Sequence, residues 1–261
     1  MNLDLTDKYA MVCGSTAGIG RASAVQLAKM GATVTLVARN EEKLKGALTA
    51  LPFDKGQEHN YLVANFNTPD NLKDKVEGLV AGRSFHILVN NTGGPKGGPI
   101  YRASPEEFTR AFSQHLICNH ILVQALVPGM IAADYGRIIN IVSTSVKQPI
   151  DGLGVSNTVR GAVGSWSKTL ANELGGHGIT VNNVLPGFTA TGRLTSIIAN
   201  ASERFGGSEK KAVAFMKSIV PAKRFAQPAE VANAVGFLAS EAASYINGVN
   251  LPVDGGRTKS L

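Results

Sequence analysis

What this chain has little of narrows its class before any motif is read. Its 261 residues contain two cysteines, Cys13 and Cys118, too few and too far apart for a disulfide framework or a thiolate metal cluster. Met1-Asn2-Leu3-Asp4 does not read as a secretory leader, and no apolar run approaches the length needed to cross a membrane. These scarcities predict a reduced, cytoplasmic setting, with no membrane partner and no metal. Lys and Arg outnumber the acids by 26 to 19, yet they are scattered, and aromatics make up only 6%. No basic stripe is interleaved with aromatics as a nucleic-acid groove requires, so no nucleic-acid partner is expected. The net charge of +7 reads as a solvated basic surface, with a field that favours anionic ligands such as phosphorylated cofactors or acyl-thioester carriers.

Glycine is plentiful, 29 in all, and three glycines organise the chain. A short, mostly apolar run from Tyr9 to Val12 leads into Cys13-Gly14-Ser15-Thr16-Ala17-Gly18-Ile19-Gly20. Apolar residues at helical spacing follow: Ala24, Val25, Leu27 and Ala28. That order predicts strand, loop, helix. Glycine at 14, 18 and 20 lets the backbone turn tightly, approach a ligand and seat the helix against the strand. The first helical turn then offers free N–H groups and a positive dipole end to a phosphate.

Strand and helix patterns alternate over the rest of the chain. Strands are predicted at Thr33 to Val37, Tyr61 to Ala64, Phe85 to Val89, Arg137 to Val142, Thr180 to Val184 and Val249 to Val253. Between them fall a helix capped by Asn40 and one opened by Thr68-Pro69. A long helix runs from the capping box Ser104-Pro105-Glu106-Glu107 to about Tyr135, and two more cover Gly154 to Leu174 and Pro228 to Ser240. Gly93 to Pro99 reads as a mobile loop. The polar stretch at about 190–220 reads as less regular and is where substrate contacts are expected. With no linker and no repeat, the pattern predicts a single domain over 1–261: an α/β, three-layer, doubly wound parallel sheet of the Rossmann type. Ligands of such sheets lie beyond the carboxyl ends of the strands. The turns at 14–20, 38–40, 65–66, 91–94, 143–145 and 186–191 all fall there.

Read together, those turns resemble the short-chain dehydrogenase/reductase family, over essentially the whole chain. Gly14-x-x-x-Gly18-x-Gly20 matches its phosphate turn, Asn90-Asn91-Thr92-Gly93 its Asn-Asn-Ala-Gly segment, and Pro186-Gly187-Phe188-Thr189-Ala190-Thr191 its Pro-Gly motif. Arg224 to Glu230 and Asp254-Gly255-Gly256 match its C-terminal signatures. The nearest general likeness is to 3-oxoacyl-carrier-protein reductases, which implies a homo-oligomer, tetramer or dimer. The resemblance implies cofactor contacts from Gly14, Ser15, Thr16, Gly18, Ile19 and Gly20. It implies further contacts from Asn65, Phe66, Asn91, Thr92 and Gly93, and from Arg160, Pro186, Gly187, Thr189 and Thr191. Cofactor choice follows from charge. An NAD site places a carboxylate at the end of strand two, whereas here Ala38 stands there and Arg39 follows, which suits a 2′-phosphate. NADP(H) is therefore expected ahead of NAD(H). Asn65 replaces the family's adenine-contacting Asp while keeping an acceptor.

The catalytic positions depart from the family. Its chemistry rests on a Ser, a Tyr, a Lys one helical turn later, and an Asn on the long helix. Ser167 to Leu174 fixes the register, which puts Ser156 at the Tyr position and Arg160 at the Lys position. Ser143, thirteen residues before Ser156, is the family's Ser, and His115 falls at the Asn position. An alkyl hydroxyl is far less acidic than a phenol, and a guanidinium cannot relay a proton. His115, with an ordinary pKa near ~6.5, is the general acid that remains. Two readings stand. One is a reductase of a ketone or 3-oxoacyl group, with Ser143 and Arg160 on the carbonyl oxygen and His115 or water as the proton source. The other is an inactive NADP(H)-binding sensor or scaffold. A lyase or isomerase on the same scaffold is a third class.

Overall fold

Val, Ile and Leu crowd the short runs between glycine turns, and in the computed structural model, which describes residues 1–260, these runs form one seven-stranded parallel sheet. The strands are β1 (Tyr9–Cys13), β2 (Thr33–Ala38), β3 (Asn60–Val63), β4 (Ile87–Asn90), β5 (Gly136–Ile141), β6 (Ile179–Pro186) and β7 (Asn250–Val253). Residue 261, the end of the expected domain, lies outside the described residues. The order β3-β2-β1-β4-β5-β6-β7 reverses at β1, so the switch point lies between β1 and β4. Every residue of β4 and β5 is buried, as parallel strands covered on both faces require.

Helices cover the two faces. On one side α1 (Gly18–Lys29), α2 (Glu41–Leu48) and α9 (Pro228–Ala239) bury Leu27, Leu44 and Val235 against Val34 and Leu36. On the other, α3 (Pro69–Val80), α5 (Cys118–Ala132) and α6 (Gly154–Leu174) bury Leu72, Leu122 and Ala171 against Met11 and Leu88. The three-layer, doubly wound architecture is the expected one.

Three local expectations change. The long helix is not continuous: α4 (Pro105–Phe112) gives way to a π-helical turn, Ser113–Ile117, before α5 begins. The capping box at Ser104 and Glu107 starts α4 as expected. The stretch at 190–220 is not an irregular loop but two helices, α7 (Gly192–Ser202) and α8 (Glu209–Ser218). Gly206 and Gly207, both at positive φ, separate them, and the Ser208 hydroxyl caps α8 by accepting from the Lys211 N–H at 3.3 Å. Third, Pro105–Ala132, taken as one helical stretch, is long and apolar enough to cross a membrane by length and composition, which the run-length reading missed. It packs on the sheet instead, burying Cys118, Leu122, Leu126 and Met130.

Asparagine locks the second half of the sheet. Asn90, Asn140, Asn183 and Asn250 are register partners on β4, β5, β6 and β7. Asn90 Nδ2 donates to Asn140 Oδ1 at 2.8 Å, Asn140 Nδ2 to Asn183 Oδ1 at 3.0 Å, and Asn183 Nδ2 to Asn250 Oδ1 at 2.8 Å. Asn140 Nδ2 also donates to Ser167 Oγ at 2.9 Å, tying the row to α6. Each amide in the row bonds to the next, although at its buried end Asn90 Oδ1 has no partner among the described residues. Asn140→Ala is expected to cost about 3 kcal/mol or more, since three hydrogen bonds go and buried partners are stranded. Asn250→Ala, at the partly exposed end of the row, is expected to cost about 1 kcal/mol. Urea unfolding measures both, and equal costs would deny the row its cooperative role.

Candidate active site

Backbone geometry builds the phosphate turn. Gly14 and Gly18 hold φ at +57° and +55°, and a Cβ on Gly20 would stand 2.3 Å from the Gly14 carbonyl oxygen. Asn91 Nδ2 donates to the Cys13 and Gly14 carbonyls at 3.2 and 3.4 Å, fastening the end of β4 to this turn. Ala17 gives α1 no side-chain cap, and no acid lies in its first turn, so the helix end is left for an outside anion. Thr16 and Ile19 are half-buried beside it. Ser15 is buried, with its hydroxyl and its N–H both donating to the Val37 carbonyl, at 3.3 and 3.4 Å, so both of its donors are spent on β2.

The remaining cofactor positions surround that turn. Arg39 is exposed at the end of β2, while the nearby Glu41 and Glu42 pair with Lys45 at 3.4 and 3.1 Å. Asn65 does not keep its acceptor free. Its Oδ1 accepts from Asn67 N and Nδ2 at 3.1 and 2.9 Å, which leaves Nδ2 as the group it has to offer a ligand. Phe66 packs half-buried against the core, and its carbonyl accepts from Cys118 Sγ. After β6, Gly187 passes so close to Asp254 that a Cβ would lie 2.6 Å from its Cα. Thr189 is buried and its hydroxyl donates to the Gly187 carbonyl at 3.2 Å. Thr191 closes against the phosphate turn, with Cγ2 3.1 Å from where a Cβ on Gly18 would stand. These positions fit a dinucleotide phosphate: close backbone, free helix N–H groups and an unpaired Arg39.

Ser143, Ser156, Arg160 and His115 do come together, between β5, α6 and the π-helical turn. Ser143 Oγ accepts from the Ser145 N–H at 3.1 Å, which leaves its own proton to donate. Ser156 is 9% exposed, and among the described residues its hydroxyl bonds to nothing. One helical turn on, Arg160 is buried, with Nη1 donating to the Ile141 carbonyl at 2.9 Å. Burial, and secondarily the charge of Arg193, pull its pKa down to about 10, so it stays cationic at neutral pH. Tyr135 is no substitute for the missing phenol, since its hydroxyl donates to the Ala239 carbonyl at the opposite end of β5.

His115 differs from the expectation in one decisive respect. It is 1% exposed, and neither ring nitrogen makes a hydrogen bond. Burial, then the Arg160 charge, push its pKa down to about 2; the Gly93 carbonyl favours the charged ring but does not complete a hydrogen bond with it. Both effects hold the ring neutral near neutral pH in the ligand-free protein. What remains is a neutral imidazole that can donate one hydrogen bond and accept another. A π-helical turn at this point is itself a mark of functional sites.

A family model described as enoyl-(acyl carrier protein) reductase matches residues 14–258. The chain belongs to the short-chain dehydrogenase/reductase family. It is 36% identical over 250 residues to the 3-oxoacyl-[acyl-carrier-protein] reductase FabG of Haemophilus influenzae, covering 95% of this chain and 97% of that protein. The NADPH-dependent reductase BacG of Bacillus subtilis is 30% identical over 262 residues, covering 98% of this chain and all of that one. The structure of L-sorbose reductase from Gluconobacter frateurii, complexed with NADPH and L-sorbose, superposes with a TM-score of 0.92 at 33% identity over both full chains. One residue of this short-chain site escaped sequence reasoning: Arg193 of α7, which donates to the Pro95 carbonyl at 2.7 Å. Its only signal was a position two residues past Thr191.

The depressed pKa of His115 has a stability consequence of definite sign. The unfolded histidine takes a proton near pH ~6.5 and the native one only near about 2, so acid favours the unfolded chain. This contribution is complete above pH ~6.5 and declines as pH falls toward 2, reaching a loss of up to about 3 kcal/mol by pH 4.5. His115→Asn is expected to lose that much less stability between pH 6.5 and 4.5, measured by urea unfolding at constant ionic strength. Parallel pH dependence in the two proteins would mean the imidazole is not held neutral.

Proposed function

We propose that this protein is an NADP(H)-dependent reductase of the short-chain type, acting on a ketone or 3-oxoacyl group without the family's Tyr and Lys. The observation that carries the reading is that Ser143, whose hydroxyl proton is uncommitted, follows the end of β5 where the buried cation Arg160 bonds to Ile141, with an open phosphate turn on α1. Bound NADPH supplies the hydride. Gly14 to Gly20 and the N-terminus of α1 hold its phosphates, and Arg39 the 2′-phosphate.

Ser143 donates to the substrate carbonyl oxygen and so positions it. Arg160, braced by the Ile141 carbonyl, sets a fixed positive charge where the alkoxide develops. Preorganised charge of this kind lowers the barrier without giving up a proton. The proton comes from water, for which Ser156 leaves room and which neutral His115 can orient. We further propose a cytoplasmic homo-oligomer, in keeping with its two buried free thiols and its family. The reading as an inactive NADP(H)-binding sensor draws support from the same His115, since a neutral imidazole and a guanidinium together supply no acid.

Single-turnover fluorescence separates the two. NADPH emission should rise on mixing with excess protein and then disappear with one member of a panel of ketones and 3-oxoacyl thioesters. Emission that persists across the panel would favour the sensor. Ser143→Ala is expected to slow turnover by about 10²-fold. The rate between pH 5 and 8 should lack a histidine-type inflection, and an inflection near pH ~6.5 would restore His115 as the acid.

A further inference from the structure

Two cations share one wall of this site with no anion between them. Nη2 of Arg160 and Nη2 of Arg193 lie 3.9 and 3.7 Å from a single point, the place where a side chain on Gly94 would begin. Arg160 reaches it from inside α6, and Arg193 from the first turn of α7. Among the described residues, neither pairs with a carboxylate, whereas Arg224 and Arg137 are matched by Glu230 and Glu241. Arg160 is buried and Arg193 exposed, and both guanidinium groups come within 4 Å of that one point, so an anion reaching it from solvent would meet two positive charges. The third wall is the ring of His115, almost wholly buried, with both nitrogens unbonded.

We propose that Arg160 and Arg193, meeting over the bare backbone of Gly94, seat a carboxylate of the substrate, so that the carbonyl compound reduced is a 2-oxo or 3-oxo acid. This rests on the reductase reading. A carboxylate has two oxygens for two guanidinium groups, the geometry in which arginine binds most strongly. Because the reductase reading also sets Arg160 at the carbonyl oxygen, an acid group held by the same guanidinium would lie one or two bonds from the reacting carbon. A thioester has no charge to offer there. The cofactor phosphates have donors of their own in the phosphate turn and Arg39, and it is Thr191, not Arg193, that stands against Gly18.

The test uses the full chain saturated with NADPH and titrated with butyrate, which cannot be reduced, and with butyramide, its uncharged counterpart. Butyrate should bind about tenfold or more tightly than butyramide. Arg193→Gln should remove that preference while the Kd for NADPH stays within about threefold, and Arg193→Lys should keep part of it. Gly94→Ala, whose methyl would meet both guanidinium groups at ordinary contact distance, should remove it too without a loss of fold stability. In turnover, the kcat/KM ratio of a 2-oxo or 3-oxo acid to its amide should fall about tenfold or more in Arg193→Gln. Equal binding of butyrate and butyramide would overturn the proposal. So would an Arg193→Gln variant that binds NADPH tenfold more weakly yet still prefers butyrate, for then the arginine serves the cofactor. A butyrate preference that survives while no carbonyl in the panel is reduced would uphold the anion seat and overturn the reductase reading alone.

Discussion

A row of four asparagines holds this molecule in working order. Side-chain amides are costly to bury singly and stable when each satisfies the next. Their hydrogen bonds run across four strands, from the last residue of β4 to the first residue of β7, and so fix the side-chain register of that half of the sheet. The functional groups hang from the same row. Asn91, next to Asn90, fastens the phosphate turn, and Ile141, next to Asn140, braces Arg160. The cofactor side and the carbonyl side are thus set by neighbouring residues of one rigid line.

Around that line the electrostatics are unlike those expected of a lysine and a phenol. A lysine can be deprotonated when buried; an arginine stays charged. Arg160 therefore imposes a permanent positive potential, and one of its effects is to keep His115 neutral. The replacements act as a set. A guanidinium that cannot relay a proton and a histidine held neutral by burial together offer the site a fixed positive charge rather than an acidic side chain.

Local features were legible in the sequence, and features that depend on distant neighbours were not. The glycine turn, the Asn40 cap, the capping box at Ser104 and the alternation of strands are written in contiguous residues, and all form. Three of the four asparagines, Asn140, Asn183 and Asn250, lie within predicted strands and Asn90 just after one, but their pairing needs the strand register, which no single stretch contains. The positions of Ser143, Ser156, Arg160 and His115 came from the family resemblance, whose motifs on the two helices set the register. The protonation state of His115 did not, because burial and the Arg160 charge come from elements far away in the chain. Residues 192–202 looked irregular because Thr195, Ile197 and Ile198 are weak helix formers. Tertiary packing overrode that preference and carried Arg193 to the site.

The π-helical turn has a consequence for how such a site can be lost or kept in descent. A turn of this kind holds one more residue than the α-helix would, so α4 and α5 run out of phase across it. Deletion of Leu116 or Ile117, which follow His115, would restore a regular helix and leave the packing of α5 on the sheet intact. The same deletion would swing the side chains before it by about 100° around the axis. His115 would then point away from Arg160 with no change of residue type. The site is specified by chain length as well as by residue identity, and an insertion or deletion here would count as a functional change even where every catalytic position aligns.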